Sequence, residues 1–255
     1  PMSLRLASTI TSMPFWRALF TSLGFDVVLS DRSTYPIFDS GLQSVPSDTV
    51  CFPAKLAHGH IKNLIEKGVD RIFMPMQARM PLENKSAKQS YMCVVVMGYP
   101  LVIQHSDEPH LKHNVFFDNP LFHWSHIKVR NTQLRQYFKE THNITDRIID
   151  RANVEADKAA QEYQRRLHEA GQKVIDSLKG TRNFAVILAG RPYHTDMLVN
   201  HTLSRHFTAQ GIPVLTLDSM PGLHKEDLSG TRMESIVPYP SSMLVRSEDQ
   251  TAELK

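Results

Sequence analysis

The chain has 255 residues, a formal net charge of +3 and 41% hydrophobic residues, enough for one large or two medium cores. Two cysteines exclude a disulfide-dense scaffold, and the absence of a Lys/Arg run excludes the usual nucleic-acid or membrane-surface patch. No apolar run reaches the roughly 18 residues that span a bilayer, and the start lacks the apolar stretch of a signal peptide. A soluble protein in a reducing, cytoplasmic setting is the expectation. The 13 histidines make the charge sensitive to pH near neutrality, and a chain that opens on Pro1 suggests a piece of a longer protein.

In chain order, "PFWRALFTSLGFDVVLSD" reads as helix then strand. Pro14 suits a first helical turn, Phe15, Leu19 and Phe20 or Leu23 form an apolar stripe, and Gly24 suits the position after the last turn. The pattern repeats in "LAHGHIKNLIEKGVDRIFMPM", with Gly68 as the stop. The run "YMCVVVMGYP" predicts a third strand. From about 134 to 178 apolar or small residues recur at steps of mostly three or four, which predicts a helical connector with its longest helix over about 145–178 and Gly180 as its stop. The α/β rhythm then returns: strand "NFAVILAG", helix "TDMLVNHTLSRHFTAQG" closed by Gly211, strand "IPVLTLDSM", and a polar, partly disordered tail ending "RSEDQTAELK". The expected fold is α/β, with two Rossmann-like parallel-sheet lobes joined by a long helical segment. The corresponding domains are 1–120, 121–180 and 181–255.

Four places carry candidate chemistry. Cys51 stands before an apparent helix start, where the macrodipole, free N–H groups and Lys55 would stabilise a thiolate; a small buried cysteine is the alternative. Cys93 sits in the expected third strand. With 41 positions between them, the two match no compact zinc or ferredoxin spacing, although α/β proteins present ligands from separate loops at strand ends. His58 and His60, two apart in "AHGH", face different directions on a helix and read as exposed residues of its start, with one of them capping the helix or lining a pocket as the alternative. In "LAGRPYHTDMLVNH", Gly190 would separate a strand from a helix opening near 195, which places Arg191 and His194 where an anion would lie; a plain βα turn is the alternative. No nucleotide loop or nucleophile elbow appears.

The blocks "PFWRALFTSLGFDVVLSD", "GLQSVPSDTVCFPAKLAHGHIKNLIEKGVDRIFMP", "MCVVVMGYP" and "LAGRPYHTDMLVNHTLSRHFTAQGIPVLTLDSMP" together resemble the DUF2229 family. The resemblance covers most of 14–221. That family is associated with activators of 2-hydroxyacyl-CoA dehydratases. In the family, this region belongs to very large proteins with ATPase modules of the BcrAD/BadFG kind. It is similar to iron–sulfur subunits whose Rossmann-like domains hold a 4Fe–4S cluster. The resemblance implies that Cys51 and Cys93 are cluster ligands, and that the ATPase module and a dehydratase-like protein are partners. Two departures stand out: Val94 occupies a position where the family tends to have Pro, and a downstream Ser-Phe-Gly-Cys-Gly-like block is absent. The implied role is an iron–sulfur electron-transfer component, with Arg191 and His194 lining a cleft. An acyl-binding dehydratase or reductase domain and a non-catalytic docking module are the alternatives.

Overall fold

The structure, a computed structural model, describes residues 3–6, 12–81 and 91–222. The expected polar tail lies outside these residues. The chain divides into two compact units: residues 1–79 with 93–160, and residues 80–92 with 161–255.

The first unit opens with β1 (Ser3–Leu6), α1 (Met13–Ser22) and β2 (Asp26–Leu29). Pro14 starts α1, and Gly24, at φ +89°, turns the chain out of it. Next come α2 (Tyr35–Gly41), α3 (Phe52–Glu66), β3 (Arg71–Phe73) and β4 (Met76–Arg79). Then follow α4 (Val94–Ser106), α5 (Pro109–His113), β5 (Phe116–Asp118), β6 (Leu121–His123) and α6 (Ile127–His142). The 33-residue α7 (Asp146–Leu178) runs on into the second unit, close to the predicted helix.

The main sheet has the order β2-β1-β3-β5, and every pairing is parallel. A smaller parallel pair joins β4 to β6. Crossovers between parallel strands are right-handed. The chain steps one way from β1 to β2, and the other way from β2 to β3 and from β3 to β5. It follows that α3 and α4 cover one face and α1 the opposite face. Two successive residues of β3 show the division, because side chains alternate along a strand. Ile72 packs with Ala54, Ile61 and Leu64 of α3 and with Tyr99 and Ile103 of α4. Phe73 packs against Trp16 and Phe20 of α1, with ring centroids 4.8 and 4.9 Å away. Phe138 of α6 closes that aromatic layer on Phe20 at 5.5 Å.

The first half of α7 belongs to this unit. Arg130 of α6, only 4% exposed, makes a bidentate pair with Asp157 at 2.8 and 2.7 Å. Its guanidinium also lies over the rings of Phe15 and Trp124. A planar, delocalised cation tolerates this depth because carboxylate and ring faces together replace its hydration.

In the second unit, β7 (Val186–Leu188) and β8 (Val214–Thr216) form a parallel pair, with α8 (Leu203–Ala209) between them in sequence. Its core joins Leu215, Leu217 and Met220 to Val174 and Ile175 of α7. The strands predicted around 26–29, 71–74 and 185–188 are therefore present as β2, β3 and β7, each in a parallel pairing.

Two predicted elements are corrected. The run "YMCVVVMGYP" is not a strand: Cys93, with extended backbone, caps α4, and the three valines form the first helical turn. Val94 is 74% exposed, while Tyr99, Pro100 and Ile103 carry the buried stripe, so the β-branched run has no pleated surface to fill. The helix predicted from 195 is confined to α8. Asp196 Oδ1 instead accepts the N–H groups of Leu198 and Val199, and His201 and Thr202 adopt positive φ, which breaks the helical path. Among the described residues, no helix is long and apolar enough to cross a membrane.

Candidate functional site

Cys51 and Cys93 hold equivalent places. Cys51 is the N-cap of α3 (φ −63°, ψ 151°), with Pro53 in the first turn, and Cys93 is the N-cap of α4 (φ −55°, ψ 137°). Both are free thiols, Cys51 exposed and Cys93 half-buried. Neither helix start has a side-chain capping bond; in α3 Pro53 carries no N–H and the Ala54 N–H bonds the Cys51 carbonyl, so what the two caps share is the positive end of a helix dipole. A helix that returns between parallel strands begins at the edge where those strands end. Both caps therefore lie on that edge of the main sheet, on helices that share one face.

A buried polar chain ties these two helices together. His58 of α3 is 0% exposed. Its Nδ1 lies 2.5 Å from Asp107 Oδ2, and its Nε2 lies 2.8 Å from the Tyr99 hydroxyl. Ser106 Oγ donates to the same carboxylate oxygen. With neutral imidazole, Nδ1–H donates to Asp107 and Nε2 accepts from Tyr99; with imidazolium, both nitrogens donate. The bonds persist in either state. Burial pushes the Tyr99 phenol up to about 12, helped by the negative charge of Asp107 and that of an ionised Cys51. The phenol stays protonated at physiological pH, within electrostatic reach of the Cys51 sulfur.

The other flank of α3 is held by α2. A Cβ on Gly59 would fall 1.9 Å from the carbonyl oxygen of Ile37, and one on Gly41 would fall 2.2 Å from the Gly59 nitrogen. Only glycine lets these backbones approach so closely. Lys55 donates to the Asp48 carbonyl at 2.7 Å, so it closes the loop that leads into Cys51.

His58 corrects the expectation of an exposed histidine. It lies on the apolar stripe of Ala54, Ile61 and Leu64, and that periodicity was the available signal. Tyr99 lies in the run that predicts a strand, and Asp107 lies beyond it in a stretch without a motif. Arg191 and His194 follow β7 in the second unit. His194 folds back, its Nδ1 accepting the Arg191 N–H at 2.9 Å and its ring seated against Gly190, where a Cβ would lie 2.4 Å from that nitrogen. The helix start expected beside them is replaced by a short 3-10 turn, Pro192–Thr195.

Among the described residues, no group of three or more His, Cys, Asp or Glu side chains is placed to hold a metal ion. The two thiols are soft donors of the type iron–sulfur centres use. Fold and site together define an α/β protein that presents two thiols at neighbouring helix starts along one edge of a parallel sheet. The chain belongs to the family described as CoA enzyme activase uncharacterised domain (DUF2229), which it matches over residues 5–220. No curated protein and no solved structure matches it.

Proposed function

We propose that this chain is the thiol-bearing scaffold of a 2-hydroxyacyl-CoA dehydratase activator, an iron–sulfur component that works with a BcrAD/BadFG-type ATPase module. The carrying observation is the matched placement of Cys51 and Cys93 as caps of two helices packed on one sheet face. Membership of a CoA enzyme activase family supports the same reading. A 4Fe–4S cluster, when bound, supplies a one-electron carrier. Cys51 and Cys93 would hold half of its irons, and other ligands would complete the set.

The chain's own contribution is electrostatic and geometric. The positive ends of the α3 and α4 dipoles lie at the two caps, where they would offset the negative charge of a thiolate-ligated cluster. Lys55 adds positive charge one turn into α3. Arg191, at the end of β7, offers a cation to a phosphate or carboxylate, with His194 fixing the backbone of its turn. In this reading each parallel sheet is the centre of a Rossmann-like lobe.

The test is anaerobic incubation of the chain with iron, sulfide and a small thiol that completes the coordination. Wild-type protein takes up iron and sulfide and gains a visible charge-transfer band. Cys51→Ser and Cys93→Ser each lose most of the iron. Unchanged iron and colour in both variants would make the cysteines structural and end the proposal.

A further inference from the structure

The Asp107–His58–Tyr99 chain sits inside an otherwise apolar cluster that includes Ile61, Leu64, Ile72 and Ile103. Hydrocarbon at those positions would hold the helices together at no desolvation cost, whereas buried polar groups gain little net stability even when fully paired. Directional bonds give what hydrocarbon does not, a fixed rotation and a fixed axial register of one helix against another. His58 lies seven residues after Cys51, and Tyr99 lies six after Cys93. At about 1.5 Å of rise per residue, two helices running in the same direction and bonded at those positions carry their caps at nearly the same level. On its other flank α3 is locked by the Gly41–Gly59 contact with α2, so α4 is the element whose register the polar chain must set.

We propose that Asp107, His58 and Tyr99 are positioning residues that hold Cys51 and Cys93 level and close enough to chelate one metal centre. This rests on the reading of both cysteines as ligands. The chain acts through α3 and α4 and does not touch the metal. It does not depend on the charge of His58, because the bonds form with either one or two protons on the imidazole.

Cadmium ion alone is the probe, since two thiolates chelate it and give an ultraviolet charge-transfer band. Wild-type protein is expected to bind one ion through both sulfurs, and Cys51→Ser or Cys93→Ser to abolish the band. Tyr99→Phe keeps the ring and removes the bond to His58; its cadmium affinity is expected to fall at least tenfold. His58→Leu should do the same. His58→Gln should retain affinity within about threefold, because an amide places a donor and an acceptor at a spacing close to that of the two ring nitrogens. Phe138→Leu, on the opposite face of the sheet, serves as the stability control: it should lower the melting temperature and leave affinity unchanged. If wild type binds cadmium and Tyr99→Phe and His58→Leu bind it equally well, the positioning role is refuted while the ligand pair survives. If Phe138→Leu weakens binding as much as Tyr99→Phe, general loosening is the cause and the role is again refuted. If folded wild type shows no two-thiol binding, the shared ligand pair and the positioning role both fall.

Discussion

At the residue scale, Asp118 shows how one half-buried carboxylate organises its neighbours. At the end of β5 it accepts two bonds from Arg71 Nη1, at 2.7 and 2.6 Å, and one from the Tyr137 hydroxyl at 2.8 Å. Burial raises the Tyr137 phenol far above its usual range, and the Asp118 charge adds to it. His142 packs beside them against Phe25, with ring centroids 5.0 Å apart. Burial lowers its pKa, the Arg71 charge lowers it further, and Asp118 opposes both. A histidine whose folded pKa is depressed binds fewer protons than it does in the unfolded chain. Its contribution to stability is therefore intact above the unfolded value, about 6.5, and lost as pH falls below it. Urea midpoints at pH 7.5 and pH 5.5 measure the effect: wild type should lose more stability on acidification than His142→Gln. Equal losses would show that this ring titrates as freely in the fold as out of it. Periodicity alone marks Phe138 as core, but neither the partners of Asp118 nor those of His58 follow from it, because each set is assembled from elements distant in sequence.

At the element scale, two glycines that look alike in the sequence have opposite consequences. Both lie inside helices, where alanine is favoured by up to about 1 kcal/mol. At Gly98 of α4 an added Cβ meets nothing within 4 Å, so Gly98→Ala should stabilise the protein by about that amount. At Gly59 of α3 the Cβ would stand 1.9 Å from a backbone carbonyl of α2. A backbone atom cannot swing aside, so the helices must separate, and Gly59→Ala should cost about 1–3 kcal/mol despite the better propensity. Denaturant melts of the two variants decide the signs. The same contrast explains why α1, α3 and α7 were legible and α4 was not. The first three carry cap signals and an apolar stripe with helical spacing. The start of α4 carries three valines whose β preference is overridden by the core contacts of Tyr99 and Ile103 further along the helix.

At the scale of the whole molecule, the described residues of the two units differ in how much core they bury. The first has a four-stranded sheet covered on both faces, with the α3–α4 cluster on one side and the Trp16–Phe73–Phe138 aromatic layer on the other. Among the described residues, the second has a two-stranded sheet around Leu215, Leu217 and Met220. Amide exchange tracks local opening, which follows contact density and buried apolar area. Amides of β7 and β8 should therefore exchange at least tenfold faster than those of β2 and β3 under native conditions. Comparable protection in both sheets would contradict this ranking.

The sequence by itself determined what is local: caps, turns and hydrophobic period settle α1, β2, α3, β3, α7, β7 and β8, and with them the α/β class. It also placed Cys51 before a helix start, but put Cys93 inside a strand where the structure has a helix cap. The tertiary structure decided the rest. β1 stands at the centre of the main sheet, paired to β2 and β3, yet a four-residue strand has too few side chains to declare a period. The helical state of "CVVVMGYP" depends on packing against α3. The burial of His58 depends on Asp107, 49 residues away. A polar residue is accepted in a core only when its partners arrive with the fold, and no window along the chain contains them.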